Sequence, residues 1–157
     1  MATFDQVSVV MTQLGERFQC QAIAEFEKNQ AWIVMVNDAT SFELVLDDSL
    51  SLLHLVSEVA PLPQTTPVRL LELILQYNDQ WRATGGLRLG ISTERQVTLI
   101  ATLPALNLDA VALAQRLVRL TEMVNAWREL IAASPAEPES KTGDSGLSHG
   151  LDRMIRL

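Results

Sequence analysis

The chain has 157 residues, enough for one domain with a buried core, and that core must be mainly aliphatic because aromatic residues make up only 5%. A net charge of −7 argues against nucleic acid or an anionic membrane surface as a partner, since no basic stripe is present to neutralise phosphates. The acidic residues are concentrated in residues 1–64, which hold nine Asp and Glu against two Lys and Arg.

The single cysteine, Cys20, cannot form an internal disulfide, so an oxidising compartment would not add stability through it. The N-terminal stretch MATFDQVS lacks the positive charge and apolar core of a signal peptide. No apolar run approaches the length of a membrane span. We therefore expect a soluble, unexported, cytoplasmic protein without membrane insertion.

A first amphipathic helix is predicted over residues 3–17. Thr3 and Gln6 have the spacing of a capping box, and apolar residues follow at helical spacing. Val9 and Val10 widen the apolar face, so part of this helix is expected to stay uncovered by its own domain.

The next fifty residues have strand character. Residues 21–27 alternate only loosely and are a further strand candidate, whereas residues 31–36, 42–46 and 50–59 are best interpreted as three antiparallel strands. The run AWIVMV at 31–36 is apolar on both faces, which is typical of a central strand or of one whose outer face is reserved for a partner. Pro61 and Pro63 end the sheet before the next element.

A second helix is predicted from Thr66, as N-cap, with Pro67 at the first helical position, to about Trp81 or Ala83. Its apolar residues cover an arc of roughly 220°, where a helix on a single core needs only about 100° or a little more. A second apolar surface must therefore cover the rest. Asn78 lies inside this arc and either bonds to nearby backbone or fixes a helix–helix contact between two subunits.

The Gly85-Gly86 pair closes this helix in the left-handed conformation and leads into an alternating hairpin over residues 87–103. A long last helix follows, capped by Asp109 and ending by about Ala133. The predicted fold is therefore α+β, in the order α-β-β-β-α-β-β-α, with a twisted antiparallel sheet packed against helices in a homodimer. Residues 1–133 form one domain.

The tail from residue 134 to 157 has the composition of a disordered segment. Near its end, Leu151, Met154 and Ile155 have the apolar spacing of one helical turn. This spacing is either chance in a short tail or a small docking motif.

Three stretches, LLELILQYNDQWRATGGLRLGI, QVTLIATLP and LDAVALAQRLVRLTEMVNAWREL, resemble the class I chaperones of type III secretion, the Tir chaperone family. The resemblance covers residues 3–133. The matching positions are packing and turn residues: Leu71, Leu75, Asn78, Gly85, Gly86, Leu103, Pro104, Leu108, Asp109, Leu113 and Trp127. The resemblance implies a bacterial chaperone that binds the N-terminal segment of one or more secreted effectors, keeps it non-globular and delivers it to the export apparatus. The ATPase of that apparatus is a further partner that the resemblance implies.

Catalytic chemistry is poorly represented in the sequence. Cys20 and His54 are the only conceivable nucleophile and base, but a small buried thiol and a satisfied strand histidine explain them better. No metal site, nucleotide site or cofactor is expected, because ligands of suitable spacing are missing and Gly85-Gly86 follows a helix instead of preceding one. An enzyme of unrecognised type and a dimeric α+β regulatory module binding a folded partner remain the alternatives.

Two surfaces are predicted. The effector-binding surface lies on the first helix and the strands from Ala31 to Val59, where apolar positions exceed what one side of a small sheet requires; its residues are Val9, Trp32, Val34, Leu44 and Val56. These residues could equally finish the core of the domain itself. The dimer interface lies on the second helix and the strand after it; its residues are Leu70, Ile74, Tyr77, Asn78, Trp81, Leu87 and Leu89.

Overall fold

The computed structural model describes residues 1–134, which form three helices and six strands. In chain order these elements are α1 Phe4–Arg17, β1 Ala22–Phe26, β2 Ala31–Asn37, β3 Thr40–Asp47, β4 Leu52–Pro61, α2 Val68–Asp79, β5 Arg88–Ile91, β6 Gln96–Pro104 and α3 Ala110–Ala132. A short 3₁₀ turn, Glu27–Asn29, joins β1 to β2. The predicted α+β class is confirmed.

The predicted order differs from the structure by one strand. The loosely alternating residues 21–27 do form a strand, β1, so four strands and not three precede α2. Four of the five side chains of β1 are exposed and only Ile23 is half-buried. A strand with so little burial needs no regular apolar alternation, which explains its weak signal.

The six strands form one antiparallel sheet in the order β1-β2-β3-β4-β6-β5. The connection through α2 places β6 beside β4 and leaves β5 at the edge. In the middle of the sheet Leu44 pairs with Leu55, which pairs with Ala101. These residues therefore point to the same face of the sheet.

That face, here called the inner face, is covered by the helices. The ring of Phe4 in α1 stacks on Trp32 of β2 with centroids 4.5 Å apart. From α3, Arg128 donates through Nε to Val59 O at 2.9 Å, and through Nη2 to Ala39 O at 3.0 Å. The buried side chains of sheet and helices form one cluster, so residues 1–134 share one core.

The predicted capping residues at the starts of α1 and α3 are confirmed. Gln6 N donates to Thr3 Oγ1 and Thr3 N donates to Gln6 Oε1, which completes the predicted capping box. Asp109 caps α3 by accepting from Val111 N at 2.8 Å and Ala112 N at 3.0 Å. Six apolar residues that recur at helical spacing along α3 are all buried: Leu113, Leu117, Leu120, Val124, Trp127 and Ile131.

The start of α2 differs from the prediction. The N-cap position is Pro67, with no side-chain cap, and the helix begins at Val68. Thr66 instead donates from Oγ1 to Pro63 O at 2.8 Å and accepts from Arg95 Nη2 at 3.0 Å. The hydroxyl is therefore engaged in holding the loop that leads to the helix, which is why it does not cap.

The end of α2 is also earlier than predicted. The helix ends at Asp79, and turns continue to Gly85 and Gly86, whose φ angles are 65° and 82°. Glycine tolerates this left-handed conformation without steric cost, as the sequence predicted. The prediction of a disordered tail falls, beyond Ser134, outside the described residues.

Candidate functional site

Three of the five predicted effector-binding side chains are fully buried. Trp32, Val34 and Leu44 lie on the inner face beneath the helices, so in the subunit they do not form an accessible binding surface. Their alternative role, completing the domain's own core, is the one observed. Val9 is exposed on α1 and Val56 is half-buried on the opposite face of the sheet.

The opposite face of the sheet, here called the outer face, carries the side chains that alternate along each strand with those of the inner face. Ile33 and Met35 of β2 are 36% and 41% exposed, and alternate with the buried Trp32 and Val34. Cross-strand pairing places one continuous row over all six strands, in the order Ala24, Ile33, Glu43, Val56, Ile100 and Arg88. This row offers an extended, largely apolar surface, of which the sequence prediction included only Val56.

The charge on the outer face is mixed but acidic near its centre. Glu43 lies between Ile33 and Val56, Glu58 lies opposite Thr98, and Arg88 stands at the β5 end of the row. Asp47, at the end of β3, accepts from Ser49 Oγ at 2.6 Å and Leu50 N at 3.0 Å, and these hydrogen bonds lower the pKa of its carboxyl. A basic, apolar polypeptide segment would complement this part of the face.

The two edges of the sheet are unequal. At the β5 edge, Leu89 N donates to Asn78 Oδ1 at 2.8 Å, and Asn78 Nδ2 donates to Leu89 O at 2.9 Å. Thr84 Oγ1 also donates to Leu87 O at 3.2 Å. At the other edge, β1 pairs only with β2 within the described residues. Addition of a further strand is therefore open at β1 and obstructed at β5.

Most of the predicted dimer-interface residues fill the core of the subunit itself. Five of them are buried within the subunit, so their side chains are not available on its surface: Leu70, Ile74, Tyr77, Leu87 and Leu89. Asn78 bonds to the backbone of β5, which is the first of the two alternatives, and Trp81 is exposed with the guanidinium of Arg82 5.1 Å from its ring centroid.

The wide apolar arc of α2 nevertheless has an uncovered part. Val68 and Leu75 are 71% and 68% exposed and lie on the same side of α2, away from the buried Ile74. Leu71, which lies between them on that side, is half-buried. These three side chains form an outward stripe, here called the α2 stripe, and Trp81 is exposed in the turn beyond the end of the helix. The predicted excess of apolar surface is thus present, and apart from Trp81 it lies on residues outside the predicted interface.

Beneath α2, two buried polar groups lack hydrogen-bond partners within the described residues: Tyr77 OH and Trp127 Nε1. Their rings meet edge to face with centroids 5.2 Å apart. Burial raises the pKa of Tyr77 to about 12, although the nearby Arg116 guanidinium and Trp127 act in the opposite direction. The phenol is therefore neutral at physiological pH and serves as packing.

The polar residues considered for catalysis are not assembled into a site. His54 Nδ1 lies 3.2 Å from Thr102 Oγ1 on the outer face, whereas Cys20 packs against the inner core. Among residues 1–134, no three His, Cys, Asp or Glu side chains are grouped to hold a metal ion. No helix in that range is long and apolar enough to cross a membrane.

The geometry defines a class of protein: an acidic α+β domain with an open apolar sheet face, one available strand edge and an uncovered helical stripe. The model of the Tir chaperone protein (CesT) family matches residues 10–128, so the chain belongs to that family. The membership predicted from the sequence, among the chaperones of type III secretion, is confirmed. No curated protein matches the chain significantly in sequence.

Solved structures share the fold at low sequence identity. The ExsC–ExsE complex matches with a TM-score of 0.72 and 16% identity, over 86% of this chain and 100% of that chain. The HopA1–SchA chaperone–effector complex matches with a TM-score of 0.67 and 15% identity, over 80% and 95%. The Yersinia pestis type III secretion chaperone SycH, in complex with a stable fragment of YscM2, matches with a TM-score of 0.58 and 19% identity, over 78% and 97%.

Proposed function

We propose that this protein is a type III secretion chaperone that binds the N-terminal segment of one or more effector proteins, keeps it non-globular and delivers it to the export apparatus. The observation that carries the proposal is the row of outer-face residues that crosses all six strands, with apolar side chains exposed at Ile33 and Met35. The similar structures support it, since one is a chaperone–effector complex and another a secretion chaperone bound to a fragment of its partner.

The energetics of binding define what such a client must be. Ordering ten residues of a flexible segment costs on the order of 15 kcal/mol, at about 1.5 kcal/mol per residue. Offsetting that cost requires burial of roughly 600 Å² of apolar surface at ~25 cal/mol per Å². A short peptide on the outer face alone would not bind tightly, so the client must be long, rich in apolar residues and able to hydrogen-bond along β1.

We propose that the subunit works as a homodimer joined through the α2 stripe of Val68, Leu71 and Leu75, with the exposed Trp81 as a further contact. Exposure of Val68 and Leu75 on the same helical face supports this arrangement, because isolated apolar stripes of this kind mark interaction sites. A dimer would also double the client surface and ease the area requirement above.

The site of action is proposed to be the bacterial cytoplasm, with the secretion ATPase as the partner that receives the loaded chaperone. The single Cys20 is consistent with a reducing compartment, and the ATPase follows from the family resemblance alone. Neither an enzymatic activity nor a cofactor is part of the proposal.

Site-specific photo-crosslinking in the native bacterium tests this function. A photoreactive amino acid at Met35 on the outer face should capture peptides from the N-terminal segment of a secreted protein. The same group at Leu75 on the α2 stripe is the matched control and should capture a second copy of the chaperone.

The captured client segment is then produced alone and its fold is measured by circular dichroism and NMR. An unfolded segment is the expected result. Capture of a region that is stably folded when free would replace the proposal with the alternative, a dimeric regulatory module that binds a folded partner.

A further inference from the structure

The open edge strand β1 places a carboxylate at the border of the inner face. Glu25 pairs with Trp32, and Ile23 pairs with Val34, so both β1 side chains lie on the inner side of the sheet. Ile23 is half-buried there, whereas Glu25 is exposed. A strand added to β1 would therefore bring one of its own side chains opposite Glu25.

Glu25 is held in position by a hydrogen bond. Trp32 Nε1 donates to Glu25 Oε2 at 3.0 Å, and the Trp32 ring is itself fixed by the stacked ring of Phe4, with centroids 4.5 Å apart. Among residues 1–134 no lysine or arginine forms an ion pair with Glu25. The edge thus carries a positioned negative charge that a basic side chain of an added strand would complement.

The flank of α1 that borders β1 adds further negative charge. Gly15 marks this flank, because a Cβ at Gly15 would lie 3.5 Å from Ile23 Cδ1. At 100° per residue, the side chains beyond Gly15 and away from the buried Met11 include the exposed Asp5 and Glu16. Arg17 falls on the other flank of the helix. In the 3₁₀ turn after β1, Glu27 and Lys28 offset each other.

The outer side of β1 has a different chemical character. Ala24 pairs with Ile33, and Phe26, which is 44% exposed, pairs with Ala31. A strand added to β1 would extend the apolar row of the outer face on this side. Because side chains alternate along a strand, one added strand would face carboxylates on its inner side and apolar residues on its outer side.

We propose that β1 selects client strands in which lysine or arginine alternates with apolar residues, with a basic side chain opposite Glu25. This inference rests on the proposed function and specifies the client that it requires. Backbone hydrogen bonds along β1 are independent of client sequence, so the pairing with Glu25 supplies the specificity. A like charge opposite Glu25 is unfavourable, and a slip by one residue would turn the basic side chains to the apolar side.

Designed peptides test this selection on the purified full-length protein. A capped peptide in which lysine alternates with valine is compared with matched peptides that carry glutamine or glutamate in place of lysine. NMR titration up to millimolar peptide follows the amide signals of residues 22–26 and gives the affinities. The lysine peptide should bind about threefold more tightly than the glutamine peptide, which is the size of one favourable cross-strand ion pair. The glutamate peptide should bind most weakly.

Three variants separate pairing with Glu25 from the general attraction of an acidic protein for a basic peptide. Glu25→Gln removes the charge but keeps an acceptor for Trp32 Nε1, and it should lose most of the preference for lysine. Glu94→Gln, exposed in the β5–β6 turn, changes the net charge equally and should keep the preference. Glu25→Lys should strengthen binding of the glutamate peptide and weaken binding of the lysine peptide, a gain that loss of fold cannot produce.

Four results would overturn the proposal. The first is an equal loss of preference in Glu25→Gln and Glu94→Gln, and the second is the absence of binding by any of the peptides. The third is a shift of the Ile33 and Met35 signals without a change in the β1 amides, which would place the peptides on the outer face alone. The fourth is a higher mass of Glu25→Gln in light scattering, which would assign Glu25 to keeping the β1 edges of two copies apart.

None of these results would contradict the proposed chaperone function. That function fails separately, if photo-crosslinking at Met35 captures no segment of a secreted protein.

Discussion

The side-chain amide of Asn78 pairs with both backbone groups of Leu89 in the manner of a neighbouring strand. Its Oδ1 accepts from Leu89 N at 2.8 Å and its Nδ2 donates to Leu89 O at 2.9 Å. This pairing attaches α2 to β5 and occupies the edge of the sheet at Leu89. Addition of a further strand is therefore obstructed at β5 and open at β1, at the other end of the sheet.

The substitution Asn78→Ala should destabilise the fold by about 2 kcal/mol, because it leaves Leu89 N and O without their two partners. The measurement is urea unfolding followed by circular dichroism. The exposed neighbour Gln76→Ala is the control and should change stability by less than about 0.5 kcal/mol. Equal effects of the two variants would show that the Asn78 pairing contributes nothing specific.

A charged substitution should have different effects at two neighbouring residues of α2, Leu75 and Ile74. Leu75→Asp on the α2 stripe should produce folded monomers, because the stripe is exposed in the subunit and would be buried only in the proposed dimer. Ile74→Asp should instead unfold the subunit, since burying an unpaired carboxylate costs on the order of 4 kcal/mol. Light scattering measures the mass, and circular dichroism measures the fold.

A wild-type protein that is monomeric at micromolar concentration would contradict the proposed dimer. A Leu75→Asp variant that remains dimeric would place the interface elsewhere on the subunit.

Stability should decline at alkaline pH through Tyr77, the only tyrosine in the chain. Its pKa is about 12 in the folded protein and 10 in the unfolded chain, so the folded state holds the proton more tightly. The free energy of unfolding is unaffected by this group below pH 10 and falls as the pH rises from 10 to 12. Absorbance of the phenolate at 295 nm should therefore titrate with a midpoint near 12.

Tyr77→Phe is the matched variant for this titration. It should reduce the alkaline loss of stability and, at neutral pH, should be neutral or stabilising by up to about 1 kcal/mol, because the buried hydroxyl has no partner within residues 1–134. A phenol midpoint near 10 would contradict the burial of Tyr77.

Local signals in the sequence predicted much of the fold. Thr3 with Gln6 and Asp109 predicted two helix starts correctly, and Gly85-Gly86 predicted the left-handed turn. Thr66 was misleading because its hydroxyl bonds to Pro63 and Arg95, and Arg95 is distant in sequence. Capping competes with such tertiary contacts, which no local pattern records.

The outer face was harder to predict, because β2 carries apolar side chains on both of its faces. Trp32 and Val34 alternate with Ile33 and Met35, and nothing within that strand indicates which pair the helices cover. The information lay in β3, where Leu44 alternates with the polar Glu43 and therefore belongs to the inner face. Register between the strands carries this assignment from β3 to Ile33, which lies opposite Glu43.

The central claim is that the outer face holds an effector segment, and a matched pair of double variants tests it. Ile33→Ser with Met35→Ser changes the outer face, whereas Val34→Ser with Leu44→Ser changes the buried inner face of the same strands. The inner-face pair should unfold the subunit, because the lost packing costs on the order of 6 kcal/mol, comparable with total stability.

The most direct measurement is calorimetric titration of the folded outer-face variant with the client segment that crosslinking identifies. Loss of at least tenfold in affinity, with the melting temperature of the chaperone unchanged, is the result that this account predicts. Wild-type affinity in the Ile33→Ser, Met35→Ser variant would contradict it and would place the effector on another surface.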